Sequence, residues 1–261
     1  YVVLRKDQKV VEIVNLKTTP AVGKTVSVGS EPTGIALTPN NTVLYVTNWV
    51  DGTVTKIDAL TMAVTSTIDL NKTLVDTGLL GTVSSRPALA HPRAIAISND
   101  GDVFDDDETV IVTEWFAQRT EPEQSNGANA DTSKKGLVYH FTTANDVPGT
   151  FDLPPVADTG FNDHNDGVTG CFPNQVASVT LKDGFAYVTS TCASPKGPLG
   201  VFTGKNAGSA CTVATQAADC GVKGGVCDAA TLKCNANATD VKASTHPALT
   251  ILNINDGSGS T

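Results

Sequence analysis

Cysteine is absent from the first 170 residues of this 261-residue chain, methionine occurs once and tryptophan twice. Basic residues are also scarce: 18 Lys and Arg stand against 27 Asp and Glu, a formal charge of -9. Phosphate backbones require a basic face, so the balance excludes nucleic acid as a partner. No stretch reaches the roughly 18 consecutive apolar residues that a bilayer-spanning helix needs, which excludes a transmembrane segment of that kind. HExxH, GxSxG and phosphate-loop motifs are missing. So is the CxxCH of haem attachment, leaving no haem motif in this chain. There is no starting Met and no signal peptide, and the chain opens inside a strand pattern, "YVVLRKDQKVVEIVNL". That opening is expected of a processed or truncated piece.

What is present is 40% hydrophobic and 17% charged, with Gly 23 and Pro 13, a profile that suits a turn-rich β protein. A short frame then repeats: "LYVTNW" at 44–49, "VIVTEW" at 110–115 and "AYVTST" at 186–191. Before each stands a Pro and a short apolar run, "EPTGIALTPNNT", "HPRAIAISNDGD" and "FPNQVASVTLKDG". After each comes an alternating strand, "GTVTKID", "GLVYHFT" or "ALTILNI", and a further one such as "AVTSTIDL" can follow. The opening segment fits the same frame from its second strand onward. The unit is four short antiparallel strands, A to D, joined by tight turns. Alternate residues face opposite ways, so Tyr45 and Thr47 share one face and Val46 packs on the other. These are core positions.

Repeated four-stranded units predict an all-β fold, a β-propeller of four-stranded antiparallel blades. The frame resembles the YVTN-repeat propeller family, whose tetrapeptide is Tyr45-Val46-Thr47-Asn48. The resemblance covers most of the chain outside its insertions and speaks for fold, since such propellers serve many roles. About three and a half blades are counted: B-C-D, A-B-C-D twice, then A-B-C. A closed ring takes more, so a longer parent chain or another protein is expected to complete it.

Spacing carries the best functional information. From B to C the distance grows from nine residues (Tyr45 to Val54) to 26 (Ile111 to Leu137) and 62 (Tyr187 to Leu249). The D-to-A connection grows from four residues to about 20. In an antiparallel blade these two connections leave by the same side, so the inserted mass is expected on one face. Trp49 and Trp115 close strand B in adjacent blades at that face, where each either packs beneath its own loop or contacts a ligand or partner. Propeller lactonases and dehydrogenases place acids, Asn or His at the channel mouth. The equivalent positions here are Thr33, Arg93, Asn174 and Gln175, a thin set for catalysis, with Arg93 the best anion contact.

All six cysteines lie between Cys171 and Cys234. Their even, clustered number reads as disulfides and hence an oxidising compartment, extracellular or periplasmic; zinc would want a CxxC pair that is absent. Cys171 precedes strand A of the last repeat and Cys192 follows strand B, so antiparallel pairing makes a Cys171–Cys192 bridge natural. The chain therefore divides into blades at 1–192, a disulfide-rich insertion at 193–246 and a returning strand at 247–261. The "CTVATQAADCGVKGGVCDAATLKC" segment resembles small cysteine-rich modules of secreted bacterial proteins. That resemblance implies Cys211–Cys227 and Cys220–Cys234, while pairing in sequence order remains open.

Two acidic turns are candidate calcium sites, since hard oxygen ligands at alternating spacing suit Ca²⁺. "SNDGDVFDDDET" is about six residues longer than its sibling turns and offers Asp100, Asp102, Asp105, Asp106 and Asp107. "FNDHNDG" offers Asp163, Asn165 and Asp166 beside His164. Solvated turn chemistry explains the first as well as calcium does and the second better, since Asn/Asp/Gly runs are ordinary turn residues. His140 alternates within strand C and is expected on a blade surface. The leading expectation is a binding or assembly module, stabilised by disulfides and calcium, that holds a ligand or protein partner on the loop-bearing face. The other is the propeller part of a larger enzyme, a lactonase-like hydrolase or a redox protein whose haem domain lies elsewhere.

Overall fold

The computed structural model describes residues 1–79, 90–161, 167–197, 210–220, 226–235 and 244–260. Four antiparallel sheets follow one another along the chain, as the repeat frame predicts. The first holds β1 (Val2–Leu4), β2 (Lys9–Val14) and β3 (Ala21–Ser27). The second runs in order through β4 (Pro32–Leu37), β5 (Val43–Asn48), β6 (Thr53–Asp58) and β7 (Ala63–Asp69). The third pairs β8 (Pro92–Ile97) with β9 (Thr109–Glu114). It continues to β11 (Lys134–Thr142) and β12 (Gly149–Leu153), with the two-residue β10 (Gln118–Arg119) also on β11. The fourth comprises β13 (Phe172–Lys182), β14 (Phe185–Ala193), β17 (Thr245–Asn253) and β18 (Gly259–Ser260). The fold is an all-β, propeller-like array of antiparallel sheets of three to five strands, two of them four-stranded.

The alternating side chains of each second strand divide between two neighbours. Leu44 and Val46 of β5 pack toward the first sheet, with Val10 of β2. Tyr45 turns the other way and meets Val110, Val112, Tyr139 and Phe141 of the third. Ile111 of β9 and Val138 of β11 face the fourth sheet, with Val176, Val188 and Leu252. Three apolar cores thus lie between successive sheets. Each fully buried aliphatic side chain in them contributes about 1.5–3 kcal/mol. The strands nearest the shared axis, β4, β8 and β13, lie side by side. Thr33 donates across to the carbonyls of Pro92 and Arg93, and the Val176 amide donates to the Trp115 carbonyl.

Three features differ from the sequence-based reading. The last sheet, expected to stop at its third strand, has the short fourth strand β18, pairing Gly259 and Ser260 with Leu252 and Ile251. The long D-to-A connection after β7 contains a helix, α1 (Leu70–Asp76), whose N-cap Asp69 accepts from the Asn71 and Lys72 amides. Leu70 and Leu74, one turn apart, bury in the core between the second and third sheets, which is why this loop becomes helical. His140, expected on a blade surface, is half-buried and stacks on Phe151 with ring centroids 3.8 Å apart. That burial lowers its pKa.

The three disulfides are Cys171–Cys192, Cys211–Cys227 and Cys220–Cys234, so the implied crossed pairing of the cluster is the one present. In the cysteine-rich segment, α2 (Gln216–Cys220) sits beside a hairpin of β15 (Val226–Asp228) and β16 (Lys233–Asn235). The four cysteines there are its only buried cluster among the described residues. The chain is a disulfide-stabilised β-propeller-like protein. Among the described residues no helix is long and apolar enough to cross a membrane.

Candidate functional site

The loop-bearing side is assembled by named contacts. Asp131, in the connection between β10 and β11, accepts from the Gly170 amide at 3.0 Å and the Lys196 amide at 2.7 Å. Gly170 lies in the connection from β12 to β13, and Lys196 follows β14. Ser194 donates to the Gly170 carbonyl, and Phe161 stacks on His246 at 5.0 Å. Described parts of the three longest excursions after β9 therefore share one side. On the other side, the β8–β9 turn docks on the β4–β5 turn, and Asp146 after β11 meets Lys56 of β6 at 2.9 Å. Tyr45 donates its hydroxyl to the same carboxylate, and burial followed by that charge pushes the phenol pKa far up.

On the loop-bearing side, Trp49 and Trp115 come together. They meet edge-on, with centroids 5.7 Å apart, because each leaves the end of a second strand toward the seam between the second and third sheets. Arg93, from the start of β8, sets its guanidinium carbon 6.0 Å from the Trp49 ring and 5.5 Å from the Trp115 ring. The three groups form a nearly equilateral triangle of cation–π and aromatic contacts. His91 and Phe116 close it: His91 is 5.2 Å from Trp49 and 4.9 Å from Phe116, both edge-on. All five side chains are half-buried.

Glu114 holds this group from below. Fully buried, it accepts from the Tyr139 hydroxyl at 2.8 Å, the His91 amide at 2.8 Å and the Phe116 amide at 3.3 Å. Burial first, then the Glu114 charge, pushes the Tyr139 phenol well above its ordinary pKa, so it stays a donor. The same frame position is Asn48 in the second sheet and Ser190 in the fourth, both buried. Only the longer Glu reaches the loop backbone.

Arg93 itself receives nothing comparable. Among the described residues its guanidinium donates no hydrogen bond and lies within 4.0 Å of no carboxylate, whereas Arg5, Lys56 and Lys134 each have an acidic partner. Asn174, at a position equivalent to Arg93 in the repeat, is committed to structure: its Oδ1 accepts from the Ala117 amide at 3.0 Å and tethers the loop after Trp115. Gln175 lies at a β-bulge with φ 48°, a left-handed conformation that lets β13 keep pairing with β14 beyond it. His91, Phe116, Glu114 and Tyr139 were not selected from sequence. For His91, Glu114 and Phe116 the one available signal was their place beside the Pro92 and Trp115 landmarks; Tyr139, in β11, had none.

The acids of the β8–β9 turn are used locally. Asp100 accepts from the Asp102 amide and Asp102 from the Phe104 amide, two successive Asx turns. Asp105 reaches across to the Asn40 and Thr42 amides and the Thr42 hydroxyl. Burial works to raise its pKa, but hydrogen bonds from Thr38, Thr42 and Asn40 outweigh it and hold the carboxyl below its ordinary value. Asp106 and Asp107 share the turn. Among the described residues no three side chains of this turn bring one carboxylate oxygen each within 4.8 Å of one another, and those of Asp100, Asp102 and Asp105 are engaged by backbone amides. Asp163, Asn165 and Asp166 lie outside the described residues.

No known family's sequence model and no curated protein matches the chain. Solved structures do resemble it. Hydrazine synthase of Kuenenia stuttgartiensis matches 95% of this chain and 58% of its own at 12% identity, with a TM-score of 0.39. A luciferin-regenerating enzyme matches 66% and 40% respectively, at 15% identity and a TM-score of 0.34. A functionally unknown protein from Desulfotomaculum acetoxidans matches 72% and 59%, at 14% identity and a TM-score of 0.33. The chain thus spans less than two thirds of each, and such scores carry neither a shared activity nor a shared site.

Proposed function

We propose that this propeller is a binding or assembly module of an oxidising compartment, extracellular or periplasmic, and that it holds a protein partner on its loop-bearing face through Trp49, Arg93 and Trp115. The observation that carries this reading is the half-buried Arg93 guanidinium, braced by two indoles yet without an acceptor among the described residues. Tryptophan and arginine at the centre of a patch are the residue types that dominate binding energy at protein interfaces. The β17 edge supports a second part of the assembly reading. β18 pairs with it over two residues, and among the described residues no strand pairs with the same edge at 245–249 of β17, where a strand from a longer parent chain or a partner would add.

A photo-crosslinking residue at Ser125, exposed in a loop of this face, tests the reading in the native host. The expected result is a single covalent adduct that disappears in Trp115→Ala and is absent with the crosslinker at Phe104 on the opposite side. An adduct only from Phe104 would overturn it. Turnover of a lactone panel lost on chelation, or a haem band in the native material, would instead favour the enzymatic alternatives.

A further inference from the structure

We infer that the Arg93–Trp49–Trp115 triangle receives a carboxylate flanked by an apolar side chain on a partner polypeptide, an inference that rests on the loop-bearing face being the partner surface. Arginine cannot shed its charge, and its planar fork of N–H groups matches a carboxylate in two parallel hydrogen bonds. Here one flank of the fork is covered by indole rings at 5.5 and 6.0 Å, which removes water and holds the stem. None of its N–H groups is used within the described residues, although the chain pairs Arg5, Lys56, Lys72, Lys134 and Lys135 with acids. A half-buried donor set left open in this way is built for an acceptor from outside.

Charge and surroundings choose among acceptors. Among the described residues no Lys or second Arg joins the triangle, so one unit of negative charge is matched and a phosphate dianion is not. His91, the other titratable side chain of the group, lies with Nδ1 3.9 Å from the buried Glu114 carboxylate and is directed to it. Phe116 and the indoles give the carbon next to the carboxylate an apolar seat. A free organic acid must diffuse to a chain of net charge -9, which repels it at long range. A carboxylate on a polypeptide arrives with the rest of an interface and escapes that handicap.

The two tryptophans of the chain are both in the site, so intrinsic emission reads it directly. Acetyl-Phe-Glu-Phe-amide, its Gln counterpart, benzoate and inorganic phosphate are titrated into the full chain at up to millimolar concentration. The Glu peptide is expected to give a saturable emission change and the Gln peptide at least about tenfold weaker binding, since a charge-assisted pair is lost. Arg93→Lys keeps charge and stem but not the fork, and is expected to weaken the Glu peptide by a similar factor while leaving near-UV dichroism unchanged. No saturation with any peptide, equal binding of the Gln peptide, tighter binding of phosphate or an unaffected Arg93→Lys would each overturn the carboxylate. Benzoate binding as tightly as the peptide would overturn the polypeptide source. If the Ser125 adduct survives in native material while every peptide fails, the carboxylate falls and the partner face stands; loss of both removes the face as well.

Discussion

Two disulfide deletions of nearly equal nominal value should have unequal consequences. Cys171 and Cys192 are 21 residues apart and join the start of β13 to the end of β14, where Phe172 pairs with Ala193. Closing a loop of that length removes about 3.3 kcal/mol of chain entropy from the unfolded state. At about 2–4 °C per kcal/mol for a chain of this size, Cys171→Ala with Cys192→Ala should lower the unfolding midpoint by about 7–13 °C. Cys220 and Cys234 are 14 residues apart, and the same formula gives about 3 kcal/mol. These sulfurs, however, belong to a cluster made only of Cys211, Cys220, Cys227 and Cys234, apart from the three cores between the sheets. Removing that pair should melt the cysteine-rich segment and leave the sheets intact. Tryptophan emission isolates the sheets, because Trp49 and Trp115 both lie in the propeller. A thermal scan should therefore show a large shift for the first double variant and none for the second. An equal shift in both would refute the separation of the two units. No shift in the first would refute the entropic account of the strand-end bridge.

Tyr139→Phe removes a 2.8 Å hydrogen bond to the buried Glu114 and should cost about 1.5–3 kcal/mol in urea unfolding, with the denaturant slope unchanged. Asp105 has a lowered folded pKa, so its contribution is whole above the ordinary carboxylate value of 3.8 and is lost as pH falls through the lower folded value. Asp105→Asn should accordingly flatten the acid limb of the stability profile below about pH 4 and cost stability above it, as followed by denaturation at a series of pH values. Calcium and chelator should leave the unfolding midpoint within error of each other, because Asp100, Asp102 and Asp105 already bind backbone amides. A midpoint that rises with calcium would mean that the turn rearranges around an ion.

Much of the fold was legible because it is local. The Tyr-Val-Thr frame recurs with its Pro and turn residues at fixed distances, and a period of two forces Tyr45 and Val46 to opposite sides wherever the strand is placed. The one-sided growth of connections followed from antiparallel order alone, and so did the Cys171–Cys192 bridge. The helix α1 was missed because its two buried leucines are too few for a periodic signal, and the core behind β7 supplies what the pattern lacks. Within the candidate site, Trp49, Trp115 and Arg93 were visible singly. Nothing in their spacing showed that Arg93 would stand against both rings or that Asn174 would be consumed as a tether.

By itself the sequence determined the antiparallel four-strand unit, its repetition, the side on which the insertions leave and the cysteines available for pairing. All of these depend on residues close in the chain, through alternation, turn chemistry and loop length. Tertiary structure alone decided which charges are spent and which stay open. Asp146 neutralises Lys56 across 90 residues of chain, Glu114 is buried on Tyr139, and Arg93 meets indoles instead of an acid. Pairing energies act over a few ångströms between sheets, and one-dimensional order does not carry those distances.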